Sequence, residues 1–137
     1  MKKIFFLNVV VPLFVGTILY YLFCPDVYFV KQIDLLINFD IHFECPNNNL
    51  IFDIIRFYLF DFLWAYSLMT TSLIFMKPRN VKYLFLIVSF FEIIFEILQI
   101  IPTVNGTYDI FDIFIEILAN ILGIKNYIRR RVSDEKA

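Results

Sequence analysis

From Ile4 to Pro25 the chain carries no charged side chain, and that run does most to limit what it can fold into. About 20 predominantly apolar residues suffice for a helix to cross a bilayer core. Pro12 and Gly16 lie inside the run, and both are tolerated in membrane helices. Three further apolar runs follow at about 54–76, 81–101 and 108–124, interrupted only by a few polar residues. Of the 137 residues, 61% are hydrophobic and 20% aromatic, against 18% charged. A soluble chain of this length lacks the core volume to hide so much apolar surface. The expected architecture is therefore an all-α membrane protein. It forms a single integral domain over 1–137, a four-transmembrane-helix bundle with a longer outer segment at about 26–53 and a basic tail at 125–137.

Charge orients the bundle. Lys2 and Lys3 precede the first span, Lys77, Arg79 and Lys82 lie between the second and third, and Lys125, Arg129, Arg130, Arg131 and Lys136 follow the fourth. If the four spans are real, ten of the 12 basic residues lie on one side, and the positive-inside rule makes both termini cytoplasmic. A signal-peptide reading of the start is disfavoured, because the apolar region is too long and no A-x-A-like site follows. A lipoprotein reading needs a small residue before Cys24, where Phe23 stands. Net charge is −1, so no basic field points to nucleic acid.

The outer segment is acidic, with Asp26, Asp34, Asp40, Glu44 and Asp53 against Lys31. Its stretch Ile37 to Glu44, INFDIHFE, alternates apolar and polar as a half-buried strand does. Upstream, VYFVKQIDLLI reads as a short interfacial helix. Cys24 and Cys45 both fall on the outer side, where a disulfide would add about 3 kcal/mol; two unpaired buried thiols is the alternative. His42 is the only histidine and reads as surface or structural, since no His-based zinc site can be assembled around it. Asn105-Gly106-Thr107 matches a glycosylation acceptor but reads better as a tight turn. No metal site and no cofactor is expected.

The polar residues inside the spans hold the chemistry. At about 100° per residue, Glu92, Glu96 and Gln99 share one narrow face of the third span. Asp109, Asp112, Glu116 and Asn120 share a face of the fourth. Counting from the short turn between them, Glu96 lies near the depth of Asp112, and Glu92 near that of Glu116. Asp61 in the second span lies near the depth of Glu92. Arg56 is nearer the outer surface, about 140° around its helix from Asp61, with a stem long enough to bend toward the carboxylates or snorkel. Five acids against one arginine cannot all be ionised, because each charge at mid-membrane costs about 2.5–3.5 kcal/mol. They must be protonated, share protons, meet water or hold a cation. The acids thus form an interhelical seam. It either glues the helices or binds something polar in an outward-facing groove. Arg56 at its mouth would suit an anionic head group, whereas Tyr58, Trp64 and Tyr66 read as packing and interface residues.

The C-terminal half resembles the VanZ-like family, named for a membrane protein linked to teicoplanin resistance. The resemblance rests on EILQ at Glu96 to Gln99, a short polar turn, YDIFD at Tyr108 to Asp112, and ANILG at Ala119 to Gly123. Glu96, Gln99, Asn120 and Gly123 match the E-x-x-Q and N-x-x-G elements, and Asp109 and Asp112 match the acids after the turn. Glu116 is an equally good partner by its spacing to Asn120. LFDFLWAYSL at Leu59 to Leu68 looks like a segment of short proteins of this kind. The family's turn arginine is absent here, with Asn105 and Gly106 in its place.

The resemblance implies a multi-pass protein of the bacterial cytoplasmic membrane with an envelope-related role. The resemblance leaves the activity open. The leading expectation from the acidic groove is binding of a polar or amphiphilic ligand, a lipid head group or a glycopeptide-related molecule. An intramembrane enzyme using its carboxylates is the weakest alternative. Two other classes fit the residues. One is a proton- or cation-coupled carrier, which with four spans and no repeat requires a homo-oligomer. The other is a structural subunit with a membrane-protein partner. No nucleophile motif, P-loop or Gly-Asp motif of membrane aspartyl proteases is present.

Overall fold

A computed structural model describes residues 5–25, 28–38, 41–43, 54, 58–99 and 109–134. These residues are helical, with turns and short irregular stretches and no strand among them. We number the helices α1 (Phe6–Phe23), α2 (Tyr28–Ile37), α3 (Phe60–Met76), α4 (Val81–Gln99) and α5 (Ile110–Asp134). Residues 54 and 58–59 are also helical. Among the described residues one helix, α1, is long and apolar enough to cross a membrane; α3 is apolar but shorter.

Local chemistry explains where these helices widen and end. The first turns of α1, Phe6–Val10, are π-helical, with the Val11 N–H donating to the Phe6 carbonyl. Pro12 lacks the N–H that would reach the Asn8 carbonyl, and its ring crowds that carbonyl, so a widened turn fits there. Lys77 closes α3 in the left-handed region (φ 43°) with its N–H on the Leu73 carbonyl, and Pro78 then prevents continuation. Asn80 Oδ1 accepts the Lys82 N–H at 3.0 Å and caps the start of α4. Asp109 does the same for α5, accepting the Phe111 N–H at 3.0 Å.

Contact pairs define how the helices run. Phe5 meets Phe75 edge-on, Gly16 faces Leu63, and Tyr20 meets Phe60 edge-on. One number rises as the other falls, so α1 is antiparallel to α3. Asp61 lies near Asp112, and Met69 and Thr70 lie against Gly123. Both numbers rise together, so α3 and α5 are parallel. Asn120 meets Ser89 and Glu92, while Glu116, one turn earlier, lies within electrostatic reach of Glu92 and Glu96. These pairs make α4 antiparallel to α5. A polar chain ties three helices together: Asn126 Nδ2 donates to the Tyr66 hydroxyl at 3.2 Å, which donates to Asn8 Oδ1 at 3.0 Å.

The most extensive contact is between α3 and α5, exceeding that between α4 and α5. Small residues explain it. Ala65, Ala119 and Gly123 are buried, and the four-residue spacing of Ala119 and Gly123 lets backbones approach closely. Near the α3–α4 turn the core is apolar, built from Met69, Leu73, Leu84 and Val88.

The outer segment departs from expectation. A helix does form over Tyr28–Ile37, but the strand expected from Ile37 does not start there, because Ile37 is the last residue of α2. Asn38 follows in the left-handed region (φ 55°), with its N–H on the Asp34 carbonyl at 2.9 Å. Residues 41–43 form no ladder; the Phe43 N–H donates instead to the Leu22 carbonyl at 3.0 Å. The carbonyls left open at the end of α1 thus take the place of a partner strand. Cys24 is buried at that end, whereas Cys45, Arg56 and the Asn105-Gly106-Thr107 turn lie outside the described residues. Residues 125–134, expected as a tail, continue α5 as helix.

A Cβ on Gly123 would sit 3.2 Å from Thr70 Oγ1 and 3.6 Å from Met69 Cβ. Gly123→Leu should therefore separate α3 from α5 and cost about 1–3 kcal/mol by overpacking. Gly123→Ala should stay within about 1 kcal/mol of the native protein, since a helical alanine gains what the tight contact loses. Thermal unfolding in detergent distinguishes these outcomes.

Candidate functional site

One face of each of three helices changes character at a common level. On α4 the positions Leu84 and Val88 are apolar, and the next two turns carry Glu92 and Glu96. On α5 the order runs the other way, from Asp112 and Glu116 through Asn120 to Gly123, Ile124 and Tyr127. On α3, Asp61 leads through Ala65 to Met69 and Leu73. Each series steps mostly by four residues, which holds it on one face. Because α4 is antiparallel to the other two, the acidic halves meet at one end and the apolar halves at the other.

The acids are inside. Glu96 is 3% exposed, while its neighbour Phe95 is 58% exposed. Glu92, Asp112 and Glu116 are buried as well, and Asp61 is half-buried. Glu116 lies within electrostatic reach of Glu92, Glu96, Asp61 and Asp112, and Asp61 within reach of Asp112 and Glu96. Asn120, 0% exposed, is the hub. Its amide donates to Glu92 Oε2 at 2.5 Å and to Ser89 Oγ at 3.2 Å.

Acceptors outnumber donors in this seam. Glu92 Oε1, Asp112 Oδ1, Glu116 Oε2 and Asn120 Oδ1 are buried with no hydrogen-bond partner among the described residues. The buried Ser67 hydroxyl is committed to the Leu63 carbonyl at 2.7 Å, and the Thr70 hydroxyl, buried with no hydrogen-bond partner among the described residues, lies beside Gly123 at the apolar end. Such a site favours whatever supplies hydrogens: protons on the acids themselves, an ammonium, or a guest rich in hydroxyl and amide N–H groups. Among the described residues no group of His, Cys, Asp and Glu side chains has metal-binding geometry.

Comparison with protein-family models, curated proteins and solved structures finds no match for this chain.

Of the residues expected from sequence, Asp61, Glu92, Glu96, Asp112, Glu116 and Asn120 converge. Asp109 does not join the buried face: it stands just before α5 as its cap and meets Tyr58. Gln99 ends α4, and its side chain, like Arg56, lies outside what is described. Ser89 and Thr70 were not anticipated. Ser89 was findable, lying three residues before Glu92 on the same face; Thr70 has no such signal, because its role comes from facing Gly123 on another helix. Tyr66, expected as a packing and interface residue, links α1, α3 and α5 through its hydroxyl.

Asn120→Leu should cost about 1–3 kcal/mol, because Glu92 Oε2 loses its donor while remaining buried. Adding Glu92→Leu should recover part of that loss by removing the stranded acceptor. The double-mutant cycle, read by denaturation in detergent, checks the coupling.

Proposed function

We propose that this chain is a four-span integral protein of the bacterial cytoplasmic membrane, with both ends cytoplasmic. Its role is envelope-related and VanZ-like, and its acid seam binds the donor-bearing polar head of an amphiphile arriving from the outer side. The observation that bears most weight is the inverted polarity of α4 and α5. Their acids are buried, while Phe90, Phe91, Phe95, Phe111 and Phe114 are exposed. A surface of that kind suits a lipid solvent, in which charged groups face a bundle interior. At 19 residues, α4 is about 28 Å long, close to a hydrocarbon core of about 30 Å; the apolar part of α5, from Ile110 to Ile124 before the basic residues begin, covers about 22 Å of it.

The direction of approach follows from the same layout. Met69, Leu73, Leu84 and Val88 fill the end beside Lys77, Arg79 and Lys82, which the positive-inside rule assigns to the cytoplasm. The acids lie toward the opposite end. The acceptor excess also supports a second reading, a proton- or cation-coupled carrier working as an oligomer, since protons or cations would equally satisfy it.

Glu96→Gln and Asp112→Asn put amide donors where the seam has acceptors, so both variants should accumulate in membranes as well as the unchanged protein. Teicoplanin susceptibility in a sensitive bacterial host, normalised to that abundance, should show that they lose the protection the unchanged protein gives. Collapse of abundance would make the seam structural glue. Absence of protection by the unchanged protein would remove drug tolerance from the proposal. Under the carrier reading, liposomes holding the protein show pH-dependent cation flux that both substitutions abolish.

A further inference from the structure

Outside the seam, one imidazole stands between two groups that only accept hydrogen bonds. His42 Nδ1 lies 3.0 Å from the Tyr21 carbonyl oxygen, and Nε2 lies 2.9 Å from Asp34 Oδ2. The ring rests against that of Tyr21, with centroids 5.1 Å apart. The other Asp34 oxygen accepts the Tyr21 hydroxyl at 2.6 Å. That phenol hydrogen bond holds the Asp34 carboxyl below the usual carboxylate range; desolvation opposes it, and the hydrogen bond and charge of His42 add to it.

The proton count follows from these contacts. A backbone carbonyl cannot donate, so Nδ1 must carry a hydrogen. An ionised carboxylate cannot donate either, so Nε2 must carry one as well. A neutral imidazole has a single N–H. Both contacts are satisfied together only by the imidazolium.

We propose that His42 is held as the imidazolium and acts as a proton-operated clasp, fastening the 41–43 segment and α2 to the end of α1 and releasing them when the ring loses its proton. The fastening is concentrated there. The Phe43 N–H donates to the Leu22 carbonyl, and the Phe43 ring stacks on Phe23 with centroids 5.4 Å apart. Tyr20, the neighbour of Tyr21, meets Phe60 edge-on and lies within electrostatic reach of Asp61. The clasp therefore sits beside the acidic end of the bundle, and its closure does not depend on what the seam binds.

Among the described residues, the titratable groups facing the ring are Asp34 from α2 and Tyr21 from α1. The charge nearest to Asp34 along α2 is Lys31, exposed and one turn earlier. Closure needs Asp34 ionised and His42 protonated. Asp34, with its lowered value, contributes above the ordinary carboxylate range, and that contribution is lost as pH falls through the lowered value. The imidazolium contributes at lower pH and is lost as pH rises through the ring's ionisation in the folded protein. The clasp is thus closed between these two ionisations and opens on the alkaline side.

The chain has one histidine, so ¹⁵N-histidine NMR of the full chain in detergent micelles reads this ring alone. Both ring nitrogens should be protonated at pH 7, where a free imidazole, ionising at about 6.5, is mostly neutral. In Asp34→Asn the ring should be mostly neutral at that pH. Hydrogen exchange of amides in α2 and 41–43, corrected for intrinsic rates, should accelerate on the alkaline side by up to about tenfold per pH unit, the limit for one proton. His42→Gln should exchange faster at pH 7 and lose that pH dependence. A neutral ring in the unchanged protein at pH 7 would overturn the proposal, and this reading needs no variant to fold. Unaltered pH dependence in His42→Gln would overturn it too.

Discussion

A carboxyl group taken out of water costs several kcal/mol unless it acquires a proton, a donor or an opposing charge, and this chain takes several into one interior. Glu92, Glu96, Asp112 and Glu116 are buried on two helices whose opposite faces are phenylalanine-rich and exposed. The arrangement works because the acids are collected in one place. Dispersed, each would need its own partner. Gathered beside Asn120 and Ser89, they can share protons and donors across one seam. The apolar half of the same faces then closes into a core of Met69, Leu73, Leu84 and Val88.

That division gives the bundle two unlike ends. At the end near the α3–α4 turn, close packing depends on small residues, with Gly123 against Thr70 and Met69, and a polar chain through Asn126, Tyr66 and Asn8 joins α5 and α3 to α1. At the other end, buried acceptors lack protein donors among the described residues, and the clasp of Tyr21, Asp34 and His42 secures the segment that follows α2. Rigidity at one end and open hydrogen-bonding capacity at the other is the layout expected of a binding site on a packed scaffold.

Much of this was legible before any tertiary contact was known. Spacings of three and four residues place Glu92 with Glu96, and Asp112 with Glu116 and Asn120, on single helix faces. The cost of leaving acids among apolar side chains without partners then gathers those faces together. Helical character over the apolar runs follows from the same composition. Asp109 shows where periodicity misleads. It keeps the spacing of the face but stands before the first helical residue, where a short carboxylate side chain can cap the open N–H groups of α5. The alternation in INFDIHFE misled for a related reason, because a two-residue period says nothing about whether a partner strand exists.

Face was thus a property of the sequence by itself, since helical period and side-chain polarity act within one segment. Depth across helices was not, because Asp61, expected at the level of Glu92, comes within reach of Asp112 and Glu96. Partner choice was decided only in the tertiary structure. α5 lies more extensively on α3, parallel to it, than on α4, the helix before it in sequence, because Gly123 lets Met69 and Thr70 approach closely. Asn120 gives its amide to Glu92 and Ser89 because the antiparallel register brings them to its level. His42, a lone histidine in sequence, gains its meaning from a carbonyl on α1 and a carboxylate on α2. Such pairings depend on shape and distance between segments, which a one-dimensional pattern of polarity does not carry.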